Sequence, residues 1–363
     1  MATVGDRQVT LVVMVKDDHV RLRRCLESCR HVTAAQLVLM DREAPAETRD
    51  IAYGHASRVI EYDWPGAFDM AINTILPYVE TLWTLRLDSD EWIDAGALGL
   101  LSVAALNDEA FAWRLLCRNI YTDGSLSVSR QLRLWRTHQG MRYVGSVHEY
   151  FAPGSVQAAA GHRRVLDSDV WFCHDGYGDS EADLKMRRNV DLIRDELSQR
   201  PGQMRYEVLL GTTLHRLGEY EGMAMLRLIA QRMLEPGAEQ PWPRCCVPVI
   251  EYVLDGMAAG ELYSKLANGL VGQAPKHFPR SPAVLWSTSL AQARRGNLES
   301  AIRLLQSLDQ VSTAGTWDDF AYFDPRLLGE RLWERLADFC RCAGLSDEAR
   351  TYRARLRAAR RGP

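Results

Sequence analysis

The sequence predicts an α/β unit with a mostly parallel sheet and helices on both faces, followed by an all-α unit of helical repeats. Two observations carry this. In the first half, short apolar runs rich in β-branched residues alternate with helical patterns, as in a sheet covered on both faces. In the second half such runs stop, and a helical pattern is interrupted at Gly218, Gly260, Gly296 and Gly344. A length of 363 residues suits two domains of ordinary size. We place them at 1–180 and 181–363.

Val9 to Val15 (VTLVVMV) is a continuous apolar run that fits a doubly buried strand. Asp17 and Asp18 then precede a stripe of Leu22, Cys25, Leu26 and Cys29. An Asp at a helix start satisfies free N–H groups and suits the dipole. Gln36 to Met40 and Ser57 to Tyr62 read as the next strands. Phe68 to Val79 reads as a helix ended near Pro77. Leu82 to Leu87 is a fourth strand that runs straight into Asp88-Ser89-Asp90-Glu91. Ala110 to Asn119, Gln131 to Arg136 and Val165 to Cys173 are further strands. Ligands of such sheets lie at the carboxyl ends of the strands, so Lys16 and Asp88 belong to one crevice.

The glycine breaks recur about 40 residues apart, near the ~34-residue period of tetratricopeptide-like arrays. The clearest copy is AVLWSTSLAQARRGNLESAIRLLQSL, Ala283 to Leu308. A plain helical bundle is the alternative. Such arrays offer a concave surface to a partner or a second subunit of the same chain. The Arg-rich C-terminal segment, Arg350 to Arg361, reads as a solvated face that complements a helix dipole, or as a surface for an acidic partner.

A formal charge of −3 argues against nucleic acid or an anionic membrane as a partner. Only Lys16, Lys185, Lys265 and Lys276 are lysines; every other basic residue is arginine. That is either a compositional bias or a need for planar forks that grip phosphate or carboxylate. The eight cysteines form no paired CxxC units, so we read them as buried thiols of a reducing compartment. MATVGDRQVT lacks the apolar region of a signal peptide, and no run approaches membrane-span length. The expected setting is cytoplasmic, with no integral membrane segment.

The sharpest chemical signal is WTLRLDSDEW, Trp83 to Trp92. Three acids in four positions at the end of an apolar strand repel one another unless a cation sits among them. Read as an extended segment, Asp88 and Asp90 point the same way. Two hard carboxylates then form half a site for Mg²⁺ or Mn²⁺, with phosphate oxygens as the rest. The alternative is an acidic turn that caps the following segment through Asp94.

The arrangement resembles the family 2 glycosyltransferases of the GT-A fold. The resemblance rests on VTLVVMVKDDHVRLRRCLESC, WPGAFDMAIN, RLDSDEW, RLWRTHQGMRYVGSVHEYF and FCHDGYGDSEADLKMRRNVDL, in that order. It extends over about Val9 to Leu217 and points to the bacterial branch with tetratricopeptide helices after the catalytic domain. It implies a metal-dependent, inverting transfer of sugar from a nucleotide-diphosphate sugar, with UDP-sugar favoured. The acceptor is not readable: a natural product, a peptide or an envelope saccharide.

The resemblance also implies roles. Val15 and Lys16 would border base and ribose, and Asp41 would accept a hydrogen bond from the base. Asp88, with Ser89 beside it, would face the ribose or the metal, and Asp90 would be the principal metal ligand. Arg86 would face the diphosphate, or form a strand-edge salt bridge. Glu149 would be the base, oriented by His148, or would pair with an arginine such as Arg133 or Arg136. His174 would be a third metal ligand, or a satisfied core histidine. Lys185, Arg187 and Arg188 would close over the diphosphate, or remain solvated. Two departures bear on the base contacts: REAPAE follows Asp41, and Ile72 replaces the usual Arg before Asn73. From a different class, the chain would be an inactive helical-repeat adaptor with a degenerate catalytic domain. A nucleotidyltransferase would need a Gly/Arg-rich phosphate loop after the first strand, which KDDHVRLRR is not.

Overall fold

The computed structural model describes residues 8–99, 101, 107–137, 140–152, 154–176, 182–259, 265–318 and 322–360. Contacts divide the chain into two compact units: Met1–Leu126 with Arg130–Glu196, and Ser127–Ser129 with Leu197–Pro363.

The first unit is built on an eight-stranded sheet. The strands are β1 (Val9–Val15), β2 (Ala35–Asp41), β3 (Arg58–Tyr62), β4 (Trp83–Asp88), β5 (Glu91–Ile93), β6 (Ala110–Ile120), β7 (Leu126–Arg136) and β10 (Arg164–His174). Their order is β3-β2-β1-β4-β7-β6-β10-β5. The β1–β2, β2–β3, β1–β4 and β6–β10 pairs are parallel; β4–β7 and β5–β10 are antiparallel. This is the mostly parallel α/β sheet that the alternation of patterns predicts. The short strands β8 (Tyr143–Val144) and β9 (Tyr150–Phe151) form a separate ribbon.

The helices follow from local chemistry. Asp18 caps α1 (His19–Cys29) by accepting from the Arg21 N–H at 3.0 Å, and the expected stripe of Leu22, Cys25, Leu26 and Cys29 is buried. Burial pushes the Cys29 thiol up to about 12. α2 (Ala46–His55) follows the turn after Asp41. α3 (Phe68–Ile75) passes at Pro77 into a single 3₁₀ turn. Ile72 is fully buried beside Val12, Leu37, Ile75 and Trp135. Position 72 therefore faces the core, where an arginine would lack solvent. α4 (Ser155–Ala160) precedes β10, and α5 (Ala182–Gln199) follows it.

The second unit is helical: α6 (Met204–Arg216), α7 (Tyr220–Met233), α8 (Val247–Ala259), α9 (Lys265–His277), α10 (Pro282–Arg294), α11 (Leu298–Thr313), α12 (Glu330–Cys342) and α13 (Ser346–Arg360). Gly218, Gly296 and Gly344 have φ of +77°, +81° and +77° and join α6 to α7, α10 to α11 and α12 to α13. A left-handed residue lets the chain reverse after a helix, and glycine adopts it without a Cβ clash. The break expected at Gly260 lies outside the described residues. α10 is buried on nearly all sides, as a helix central to its unit should be. In the C-terminal helix Arg355 pairs with Asp309 of α11. No helix among the described residues is long and apolar enough to cross a membrane.

Candidate active site

The parallel β1–β4 register sets Met14 opposite Asp88, so the segments that follow β1 and β4 emerge side by side. The acidic segment is not one extended strand, however. β4 ends at Asp88, Ser89 and Asp90 form a turn, and β5 starts at Glu91. The alternation expected for Asp88 and Asp90 therefore does not apply, and they meet different partners. Asp94 accepts from the Gly96 N–H at 2.8 Å and caps a 3₁₀ turn.

Asp88 stands over two arginines. Arg86 Nη2 donates to its Oδ1 at 3.1 Å and Arg133 Nη2 approaches its Oδ2 at 3.4 Å. Arg86 also donates to Glu149, and Arg133 to Glu91 at 2.6 Å. Both guanidiniums are over nine-tenths covered. Glu91 in turn accepts from the Asp88 N–H at 2.9 Å, which ties down the turn. The result is a chain of alternating acids and arginines: Glu149, Arg86, Asp88, Arg133, Glu91; burial, with Asp88 nearby, pushes the Glu91 carboxyl up to about 7 against the pull of Arg133. Desolvation would raise the Asp88 carboxyl, but Arg86 and then Arg133 hold it well below the usual carboxylate range. The Tyr143 ring lies under Arg86, 4.7 Å from its Cζ.

Asp90 meets a different neighbour. β5 pairs with the end of β10, with Glu91 opposite His174. His174 Nε2 thereby lies 3.4 Å from Asp90 Oδ2, while its Nδ1 lies 2.7 Å from Asn119 Oδ1. Burial would lower the imidazole pKa; the hydrogen bond and charge of Asp90 raise it instead. Gly176 closes against this pair: a Cβ there would fall 2.7 Å from His174 Nε2 and nearer still to Asp90 Oδ2. The intervening Asp175 is gripped by Arg24 at 2.7 and 2.8 Å and by Arg21 at 3.1 Å, and Arg24 stacks 3.6 Å over Trp92. The backbone around His174 is thus pinned from both sides.

The other expected residues fall as follows. Val15 is buried at the end of β1, and Lys16 beside it is 58% exposed, 3.9 Å from Asp41 Oδ2. Asp41 is buried and accepts from the Glu43 N–H at 2.8 Å, so it organises the REAPAE turn. Ser89 is half-buried in the acidic turn, and Lys185 half-buried on α5. Arg188 of α5 lies 5.5 Å from the Phe68 ring. The loop carrying His148 and Glu149 is held to α3 and α5: Phe68 N–H donates to Ser146 O at 2.9 Å, Gly145 N–H to Asp69 at 2.9 Å, and Ser146 Oγ to Leu192 O at 3.2 Å. His148 is exposed, with φ of +49°. Its partner Glu149 points inward to Arg86, not to Arg133 or Arg136; Arg136 instead donates to the Ala110 carbonyl at 2.9 Å.

Glu91, Arg133, Asn119, Gly176 and the Arg24–Asp175 pair complete the site; sequence reading counted Glu91 among the three acids, named Arg133 only as an alternative partner of Glu149, and gave the others no role there. Glu91, Arg133, Gly176, Arg24 and Asp175 lie inside segments it singled out; Asn119 carries no local signal. Among the described residues no three His, Cys, Asp or Glu side chains converge as a metal cluster. The structure brings together Asp90 and His174 and leaves Asp88 to the arginines. Two atoms that share a cation at bonds of about 2.1 Å lie roughly 3 to 3.5 Å apart, so the Asp90–His174 spacing fits one. The donor set, one carboxylate oxygen and one imidazole nitrogen, fits a divalent cation such as Mn²⁺ that takes its remaining ligands from water and phosphate.

No protein-family model matches the chain. It is similar to a TPR repeat-containing protein of Synechococcus elongatus, 24% identical over 324 residues, covering 87% of this chain and 70% of that one. It is also similar to the SPbeta prophage-derived glycosyltransferase SunS of Bacillus subtilis, 25% identical over 220 residues. That match covers 59% of this chain and spans half the length of SunS. Among solved structures, the mannosyltransferase PcManGT of Pyrobaculum calidifontis, in complex with GDP-Man and Mn²⁺, aligns over 82% of this chain and 87% of its own, at 14% identity and a TM-score of 0.39.

Proposed function

We propose that the chain is a family 2, GT-A type glycosyltransferase, inverting and dependent on Mn²⁺ or Mg²⁺, with a UDP-sugar as the favoured donor. The carrying observation is the Asp90–His174 pair at the strand ends, backed by Gly176 and set beside the Asp88–arginine network. The similarity to SunS and the order of the sequence motifs support the same reading. Asp90 and His174 would hold the cation, which when bound acts as a Lewis acid on the departing diphosphate. Asp88, oriented by Arg86 and Arg133, accepts hydrogen bonds from the ribose. Asp41, Val15 and Lys16 border the base. Lys185 closes over the phosphates from α5. Glu149, aimed by Arg86, takes the proton of the acceptor. A second reading has a specific observation behind it: Glu149 is nine-tenths covered and ion-paired, whereas His148 is exposed on a left-handed backbone. A strained residue at a crevice is a candidate for direct contact, and this reading makes His148 the base.

The helical unit supplies the acceptor side or an oligomer contact, and the setting is cytoplasmic. The test is a panel of UDP-, GDP- and dTDP-sugars, scored with Mn²⁺ for hydrolysis, transfer and calorimetric binding, with Asp90→Ala alongside. We expect cation-dependent binding of one donor class and its loss in Asp90→Ala, with the melting temperature kept. Unchanged affinity in the variant removes the metal assignment. A panel without any binding or turnover favours the inactive adaptor.

A further inference from the structure

His174 is placed at the site by the end of β10, but its backbone does not decide which ring nitrogen faces Asp90 as a ligand. That choice belongs to a residue of the neighbouring strand. Asn119 sits near the end of β6, directly opposite His174 in the parallel β6–β10 register. It is fully buried, and its Oδ1 lies 2.7 Å from His174 Nδ1. Cys117 Sγ donates to the same oxygen at 3.7 Å. Two donors that meet one oxygen orient the amide with Oδ1 toward the ring. An acceptor at Nδ1 requires an N–H there, so Nε2 is the nitrogen whose lone pair can serve a cation.

We propose that Asn119 is a positioning residue: it holds the proton of His174 on Nδ1 and thereby presents the Nε2 lone pair toward Asp90 as half of a divalent-cation site. The inference rests on the metal reading of Asp90 and His174 but is separable from it. Partners of this kind on the far side of a ligating imidazole usually change metal affinity by ~10–100-fold when removed. Loss of Asn119 weakens the cation through His174.

Two measurements on the full chain test this. In the first, Mn²⁺ alone is titrated and free ion is read by electron paramagnetic resonance, for wild type, Asn119→Ala, Asn119→Asp and Asp90→Ala. Asn119→Ala should lose roughly 10–100-fold in affinity, while Asn119→Asp, which keeps an acceptor at Nδ1, should retain it. In the second, ¹⁵N spectra of histidine-labelled protein report the tautomer, taken without metal, at a pH where His174 is neutral and in an Asp90→Ala background, so that no carboxylate competes for the proton at Nε2. In that background the chain with Asn119 and the Asn119→Asp variant should carry the proton on Nδ1; Asn119→Ala should shift it toward Nε2. A merely structural role would lower the melting temperature of Asn119→Ala and leave the tautomer of its folded fraction unchanged. Wild-type affinity in Asn119→Ala, together with loss in Asp90→Ala, overturns the role of Asn119 and keeps the metal site. Wild-type affinity in Asp90→Ala overturns the metal site itself.

Discussion

Asp88 and Asp90 stand two residues apart and are treated in opposite ways by the fold. Asp88 has an arginine on each oxygen, at 3.1 and 3.4 Å. Asp90 has no arginine or lysine paired with it among the described residues and faces a histidine nitrogen at 3.4 Å. A carboxylate whose charge is already met by buried guanidiniums is fixed in place and becomes part of the frame. One that shares space with an imidazole nitrogen still has room for a cation. The contrast explains why a repeat of acids in sequence does not make equivalent ligands: the strands behind each acid decide its chemistry.

The largest expected effect comes from dismantling the frame. Arg133→Met leaves Glu91 covered and without its 2.6 Å partner. Breaking a buried pair from one side typically costs about 3–5 kcal/mol, and urea unfolding should register a loss of that size. A loss below about 1 kcal/mol would mean that Glu91 does not depend on Arg133. Next comes the proton acceptor. Glu149→Gln should keep donor affinity and slow single-turnover transfer by at least about a hundredfold, the usual contribution of a general base. If Glu149→Gln retains more than about a tenth of the rate while His148→Gln loses it, the base is His148 and Glu149 belongs to the frame with Asp88.

A smaller effect sharpens the Asp90 side. Gly176→Ala places a methyl 2.7 Å from His174 Nε2, in the space between the two candidate ligands. Mn²⁺ affinity should fall by about tenfold or more, the scale seen when the surroundings of a metal ligand are disturbed. Unchanged affinity would place the cation elsewhere.

A last prediction compares Asp88 with a carboxyl of the helical unit. Glu251 on α8 is largely covered, and desolvation, with Asp255 nearby, pushes it up to about 8 against the opposing pull of Arg216. Two arginines outweigh burial at Asp88 and lower its carboxyl; burial wins at Glu251, and also at Glu91, which is pushed up to about 7 despite its contact with Arg133. A raised acid stabilises the fold below its unfolded value of 4.5 and loses that contribution as pH rises through about 8. Thermal melts of Glu251→Gln should therefore decline less between pH 4.5 and 8 than wild type. Parallel curves would show that Glu251 titrates as an exposed group.

Much of this was written locally. The apolar β-branched run of Val9–Val15 specifies a buried strand, Asp18 specifies a helix start, and Gly218, Gly296 and Gly344 specify chain reversals. Each rests on neighbours within a few residues, through side-chain period, capping or permitted φ, so the chain states it before it folds. The sequence also marked the acidic segment, the VHE loop and His174 as chemical. Which of these meet was decided only in three dimensions. The turn at Ser89–Asp90 and the short β5 separated two acids that looked equivalent. Glu149 found Arg86 from 63 residues away, Arg133 found Glu91 from 42, and His174 found Asn119 from 55. Ile72 entered the core. Strand register sets the His174–Asn119 pair, and strand order with the turns between strands sets the other two. Register depends on how whole faces of the sheet bury together, and no local period records it.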